Sequence, residues 1–133
     1  MSGLAYLDAS ALVKLIIDEQ ETPALQSDIV GRDGLIASRL SVLEASRAIA
    51  RRPTAARIST MEEITNALVV IEMDARLVDA AASIEPPSLR SLDAIHLASA
   101  LSLEPQLPDV ITYDQRLADA ARTSGLTVVQ PGR

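Results

Sequence analysis

The sequence contains no cysteine, no phenylalanine and no tryptophan, and its 133 residues include one histidine and two tyrosines. Without cysteine the chain can form neither a disulfide framework nor a thiolate metal site. A mechanism that needs two histidines as acid and base is excluded as well. Hydrophobic residues still make up 48% of the chain, so we expect a core of Leu, Ile, Val and Ala. A domain of this length can bury such a core without a covalent staple.

Long apolar runs and a surplus of positive charge are also missing. No apolar stretch approaches the roughly 20 residues that cross a bilayer, and no basic segment precedes an apolar one near residue 1. We therefore expect no membrane span and no signal peptide, which, with the lack of cysteine, favours the cytoplasm. The net charge of −6 argues against binding nucleic acid through the overall field of the protein.

One segment departs from this acidic average. Five arginines and a single acid, Glu44, lie between Arg39 and Arg57, which gives the segment a net charge of +4. Such a segment is either a solvated helix face or a patch that binds phosphates, and the sequence leaves both open.

Short apolar segments alternate with helical patterns along the chain. The apolar segments predict strands at 4–7, 35–37, 69–71, 110–112 and 127–129. The periodic segments predict helices at 10–17, 22–30, 40–51, 54–68, 74–84, 91–103 and 114–125. The predicted N-caps include Thr22, Thr54, Asp74 and Asp114. This alternation predicts an α/β protein, a single three-layer α/β/α domain over residues 1–133 with a mostly parallel sheet of about five strands.

Four acidic residues are predicted to meet at the carboxyl edge of this sheet, where open α/β sheets bind ligands. Asp8 and Asp114 each follow a strand, whereas Glu44 and Asp93 lie in early turns of helices. Burying Asp93 in an otherwise apolar helix is costly unless it is paired or metal-bound. Clustered carboxylates repel one another and require a cation, and oxygen ligands suit Mg²⁺ or Mn²⁺. Such ions can activate water for phosphodiester cleavage.

Each acid also has a simpler interpretation. Asp8 and Asp114 could be ordinary helix N-caps. Glu44 could be a half-exposed acid paired with Arg47 or Arg51 on the same helix. The joint placement of the acids, rather than any one of them, favours the metal site.

Other polar residues lie close to these acids in the sequence. Ser10 and Thr112 are each two residues from an acid and could hydrogen-bond metal-binding carboxylates, although both could equally be caps. His96 is favoured as a packed, hydrogen-bonded core residue over a residue that faces the site. Asp119 is favoured as a surface residue.

The same segments resemble the PIN-domain ribonucleases, and specifically the VapC-type toxins of prokaryotic toxin–antitoxin pairs. Four motifs carry the resemblance, in family order and at family spacing over nearly the whole chain: YLDASALVKL at 6–15, SVLEA at 41–45, LDAIHLA at 92–98 and TYDQRLADAA at 112–121. Any single motif is weak evidence, but four in order are strong.

The resemblance implies a PIN-like fold and a metal-dependent endoribonuclease toxin that uses Mg²⁺ or Mn²⁺ to cleave single-stranded or looped RNA. It assigns the catalytic, metal-binding positions to Asp8, Glu44, Asp93 and Asp114, and none departs from the family pattern. It also implies a homodimer and a complex with a VapB-type antitoxin, whose C-terminal segment lies over the active-site groove.

Contacts to RNA are expected to come mainly from arginine. Because the chain has only two tyrosines, base stacking should contribute little and arginine–phosphate contacts should dominate. The candidates are Arg39, Arg47, Arg51 and Arg116.

Two rival classes of function also suit a layered α/β chain. One is a phosphatase or phosphoacceptor domain, but a haloacid-dehalogenase-type phosphatase has a second Asp where this chain has Ser10. A receiver domain has paired acids at the first strand and a Lys after the last, and this chain has neither. The other rival is an RNA- or protein-binding module of PIN fold without toxin activity.

Overall fold

A five-stranded sheet runs through the middle of the protein; the computed structural model describes residues 3–133. The strands are β1 (Leu4–Leu7), β2 (Gly34–Ser38), β3 (Val69–Ile71), β4 (Asp109–Ile111) and β5 (Val128–Val129). They pair in the order β3-β2-β1-β4-β5, and every pair is parallel. The predicted sheet is therefore confirmed.

Helices connect the strands and cover the sheet. They are α1 (Ala9–Ile16), α2 (Thr22–Val30), α3 (Arg39–Ala50), α4 (Ala55–Ala67), α5 (Ala75–Ala82), α6 (Ser91–Leu101) and α7 (Gln115–Thr123). Each predicted helix is present, with ends that differ from the prediction by at most two residues. None of the helices within residues 3–133 is long and apolar enough to cross a membrane.

The two faces of the sheet bury two separate clusters of aliphatic side chains. Alternate residues of a strand point to opposite faces, so Ala5 and Leu7 of β1 join one cluster whereas Tyr6 joins the other. The first cluster packs against α1 to α4, for example through Leu12 and Leu25, and the second packs against α6 and α7. This arrangement gives the predicted three layers.

The sheet has a switch point between β1 and β4. From β1 the chain continues through α1 and α2 on one face, whereas β4 is reached through α5 and α6 and continues into α7 on the other. A crevice therefore forms outside the carboxyl ends of these two strands, where doubly wound sheets bind ligands. Asp8 and Asp114 follow β1 and β4 at this point.

Most predicted N-caps are confirmed, and one is wrong. The side chains of Thr54, Asp74 and Asp114 accept hydrogen bonds from backbone amides in the first turns of their helices. The N-cap of α2 is Glu21, and Thr22 is already helical. The Thr22 hydroxyl is used elsewhere, since it donates to the Lys14 carbonyl over 2.6 Å.

A buried ion-pair network joins the segment before β2 to the start of β4. The Arg32 side chain is fully excluded from solvent and contacts Asp28 at 2.9 Å and Asp109 at 2.6 Å. These hydrogen bonds, to Asp28 above all, raise the pKa of Arg32 and keep it charged. Two carboxylates and one guanidinium are held together here in a nearly dry environment.

Candidate active site

One cavity at the switch point is lined by all four predicted acids. Its volume is about 170 Å³. The polar and charged residues around it are Asp8, Ser10, Glu44, Arg90, Asp93, His96, Asp114 and Arg116. Residues more than one hundred positions apart in the chain therefore meet at one edge of the sheet, as the strand-end placement of the acids predicts.

Asp8 is the most rigidly held acid. It is 4% exposed, and its Oδ1 accepts from the Ser10 hydroxyl at 2.6 Å and the Ala11 amide at 3.1 Å. Its Oδ2 accepts from the Thr112 hydroxyl at 2.7 Å. Burial raises the pKa of Asp8 in spite of these hydrogen bonds, which act in the opposite direction. Asp8 is thus both the N-cap of α1 and a residue of the cavity, so the two interpretations of its role are compatible.

Ser10 and Thr112 make the contacts expected of residues that orient a carboxylate. Besides donating to Asp8, Ser10 accepts the Tyr113 amide at 2.9 Å and Thr112 accepts the Asp114 amide at 3.1 Å. The two hydroxyls therefore tie the end of β1 to the loop after β4. Groups that fix a ligating side chain in this way commonly tune metal binding.

Glu44 projects from α3 and contacts α6. Its Oε1 lies 3.2 Å from His96 Nε2, and its side chain is 36% exposed. Among residues 3–133, the basic side chain that Glu44 contacts is this histidine rather than Arg47 or Arg51. His96 is buried, as predicted, but it also faces the site, and its Nδ1 lies 2.7 Å from the Tyr6 hydroxyl.

Asp93 and Asp114 share a cationic neighbour, Arg116. Arg116 Nε lies 3.2 Å from Asp93 Oδ2, and its Nη2 lies 4.0 Å from Asp114 Oδ2. The Asp93 side chain is 7% exposed whereas that of Arg116 is 50% exposed, so the guanidinium approaches a buried carboxylate from solvent. Asp114 also caps α7, because its Oδ1 accepts the Arg116 amide.

The chemistry of this donor set fits a hard divalent cation. The acids offer carboxylate oxygens, the ligands that Mg²⁺ and Mn²⁺ prefer. Within residues 3–133, no three acidic or histidine groups are gathered closely enough to form a ready metal centre. Glu44 and Asp114 are partly exposed and line the same cavity as Asp8. To hold such an ion, Asp93 would have to exchange its contact with Arg116 for the ion.

The predicted RNA-contacting arginines lie in different surroundings. Arg116 lines the acid cavity, and Arg51 lines a neighbouring cavity of about 480 Å³ that shares Ser10 and Glu44 with it. Arg47 is exposed on α3. Arg39 is bound to Glu72, with contacts of 2.6 and 3.0 Å between exposed side chains.

Two residues at the site were not predicted from the sequence. Tyr6 contacts His96 at the site, and Arg90 lines the cavity, although it belongs to no recognisable motif. Asp119 is on the surface, as predicted. Tyr6 is fully buried and Tyr113 is 8% exposed, so neither ring is open to a stacked base.

The sequence matches the PIN domain family over residues 5–123. It is 39% identical to ribonuclease VapC46 of Mycobacterium tuberculosis over 126 residues, which cover 95% of this chain and 96% of that protein. It is 41% identical to ribonuclease VapC35 of the same species over 134 residues, with 98% of each chain covered. The chain therefore belongs to the PIN-domain family and, within it, to the VapC ribonucleases.

A solved structure shares the fold at much lower sequence identity. Mycobacterium tuberculosis VapC20, described as a toxin that cleaves the sarcin-ricin loop, superposes with a TM-score of 0.70 at 14% identity. The superposition covers 96% of this chain and 99% of that one. At this level of identity the match supports the three-layer fold alone.

Proposed function

We propose that the chain is a VapC-like endoribonuclease toxin whose four carboxylates bind Mg²⁺ or Mn²⁺ for the cleavage of RNA phosphodiester bonds. The observation that carries the proposal is the convergence of Asp8, Glu44, Asp93 and Asp114 on one cavity at the switch point of the sheet. The relatives support it, because they are named VapC ribonucleases and match nearly the full length of this chain.

Each acid has a distinct part in the proposed site. Asp8, fixed by three hydrogen bonds, is the rigid ligand, and Asp93 supplies a second buried carboxylate. Glu44 and Asp114 complete the site from its exposed side. A divalent ion held there supplies activated water and charge stabilisation for the leaving oxygen.

The arginines bind the RNA backbone in this proposal. Arg51 and Arg116 lie beside the acids, and Arg47 lies one turn beyond Glu44 on α3. Arg39 joins them if the RNA displaces Glu72. With both tyrosine rings covered, the protein contacts phosphates more than bases.

The likeness to the VapC ribonucleases supports a proposal about the setting of the enzyme. We propose that residues 1–133 form one PIN domain, which acts in the cytoplasm as a homodimer. A VapB-type antitoxin neutralises the toxin by forming a heteromeric complex with it.

A PIN-fold binding module without catalysis is less well supported. In such a module the acids would serve only as helix caps and surface charges. Burial raises the pKa of Asp8, so keeping it ionised costs stability. Perturbed groups of this kind cluster at functional sites.

The proposal is tested by replacing Asp93 with Asn, which preserves the shape of the side chain and removes its charge. We expect Asp93→Asn to abolish cleavage of total cellular RNA in the presence of Mn²⁺ without loss of the folded state. Asp119→Asn is the matched control, because Asp119 is an exposed acid on α7. Full activity in Asp93→Asn would contradict the mechanism, and sequencing the RNA ends made by the wild type identifies the cut site.

A further inference from the structure

A buried chain of hydrogen bonds leads from the centre of the sheet to the acid cavity. The Tyr6 hydroxyl of β1 lies 2.7 Å from Nδ1 of His96, and Nε2 of His96 lies 3.2 Å from Oε1 of Glu44. Tyr6 is fully buried and His96 is 6% exposed. The chain crosses three elements, β1, α6 and α3, and ends on one of the proposed metal ligands.

The chemistry of the partners sets the direction of these hydrogen bonds. An ionised carboxylate only accepts hydrogen bonds, so His96 Nε2 has to carry the proton that faces Glu44. In a neutral imidazole Nδ1 is then a bare acceptor, and the Tyr6 hydroxyl donates to it. Burial raises the pKa of Tyr6 to about 12, so its hydroxyl keeps the proton it donates.

We infer that Tyr6 and His96 are positioning residues for Glu44: Tyr6 holds His96 in the Nε2–H tautomer, and His96 holds the Glu44 carboxylate towards the metal. The inference rests on the proposed function, because Glu44 has to be a metal ligand for its position to matter. Glu44 needs such support since its side chain is long and partly exposed, whereas Asp8 is short and held by its own hydrogen bonds. Hydrogen bonds that orient ligating side chains are typically worth about 10–100-fold in metal affinity.

The tautomer can be measured directly, because His96 is the only histidine in the chain. In ¹⁵N-labelled metal-free protein, at a pH where the ring nitrogen shifts show the imidazole to be neutral, we expect the proton to be on Nε2. Tyr6→Phe removes the closer of the two hydroxyls beside Nδ1, since Ser41 Oγ lies 3.5 Å from it, and should give a mixture of tautomers. Tyr113→Phe is the control, because the Tyr113 hydroxyl donates to the Pro131 carbonyl instead. A proton on Nδ1 and none on Nε2 in the wild type would overturn the inference.

The effect on Glu44 is measured by Mn²⁺ binding, followed by the loss of the free Mn²⁺ signal in electron paramagnetic resonance. His96→Gln keeps an N–H that can reach Glu44, whereas His96→Leu does not. We expect His96→Leu to bind Mn²⁺ about 10–100-fold more weakly and His96→Gln to keep most of the affinity.

The outcomes separate the inference from the proposed function. If His96→Leu binds Mn²⁺ as tightly as the wild type, or His96→Gln binds as weakly as His96→Leu, the positioning role is wrong while the metal site stands. If the wild type itself fails to bind Mn²⁺, the proposed function is wrong and the inference falls with it.

Discussion

Replacing Arg116 with Ala should make the protein bind metal more tightly and cleave RNA more slowly. The guanidinium contacts Asp93 at 3.2 Å and lies 4.0 Å from Asp114. A metal cation that enters the site has to displace the guanidinium of Arg116 from Asp93. The positive charge of Arg116 then repels the bound cation. Removing Arg116 eliminates both costs, while it also removes a proposed contact to the RNA backbone.

The burial of the two partners bounds the size of the effect. Exposed ion pairs contribute about 0.2–1 kcal/mol, and breaking a buried pair costs about 3–5 kcal/mol. Asp93 is 7% exposed and Arg116 is 50% exposed, so an intermediate value of about 1–2 kcal/mol applies. Because 1.4 kcal/mol corresponds to a factor of 10, we expect Mn²⁺ to bind roughly 5–30-fold more tightly to Arg116→Ala. The metal-free variant should melt a few degrees lower, since Asp93 loses its partner.

Titration of Mn²⁺ by electron paramagnetic resonance, paired with thermal melts in chelator, tests both expectations. Arg122→Ala is the matched control, because Arg122 lies on the same helix with a side chain 49% exposed and pairs with Asp119. It should leave Mn²⁺ binding unchanged. Equal or weaker Mn²⁺ binding by Arg116→Ala would refute the view that Arg116 competes with the metal.

Three further perturbations test other parts of the structure. Arg32→Met leaves two buried carboxylates without their cation and should cost about 3–5 kcal/mol in urea unfolding; a loss below about 1 kcal/mol would contradict the burial of that network. Hydrogen bonds from Arg133, then Lys14, lower the pKa of Glu21 from 4.5 to about 2, so Glu21 stabilises the fold above pH 4.5 and loses this effect as the pH falls towards 2. Glu21→Gln should therefore be less stable than the wild type above pH 4.5, and this difference in the free energy of unfolding should shrink as the pH falls towards 2. A difference that does not change with pH would contradict the ion pair. Arg47→Ala should weaken RNA binding more at low salt than at high salt, and an unchanged salt dependence would remove Arg47 from the interface.

The sheet and the placement of the acids follow from local patterns. Short apolar segments between amphipathic ones predict parallel strands, and an acid directly after a strand predicts a group at the carboxyl edge. Asp8 and Asp114 are found there because Asp8 directly follows β1, Asp114 follows β4 by three residues, and each caps the next helix. The apolar surroundings of Asp93 predict a carboxylate that is either paired or bound to a metal, and in the structure it is paired with Arg116.

The contacts between distant segments could not be predicted in the same way. His96 and Glu44 are 52 positions apart, and their hydrogen bond depends on how α6 and α3 pack, which no local pattern encodes. The end of β4 also depends on a contact between distant segments. The predicted strand included Thr112, but β4 ends at Ile111, and Thr112 instead directs its hydroxyl to Asp8.

Thermal melting with and without Mn²⁺ tests the central claim, that the four carboxylates together hold a divalent cation. A ligand that binds only the folded state stabilises it by about 2.7 kcal/mol at one hundred times its dissociation constant. We predict that millimolar Mn²⁺ raises the melting temperature of the wild type and of Asp119→Asn by several degrees, and that of Asp8→Asn and Asp93→Asn little or not at all. No rise in the wild type, or an equal rise in all four proteins, would contradict the claim.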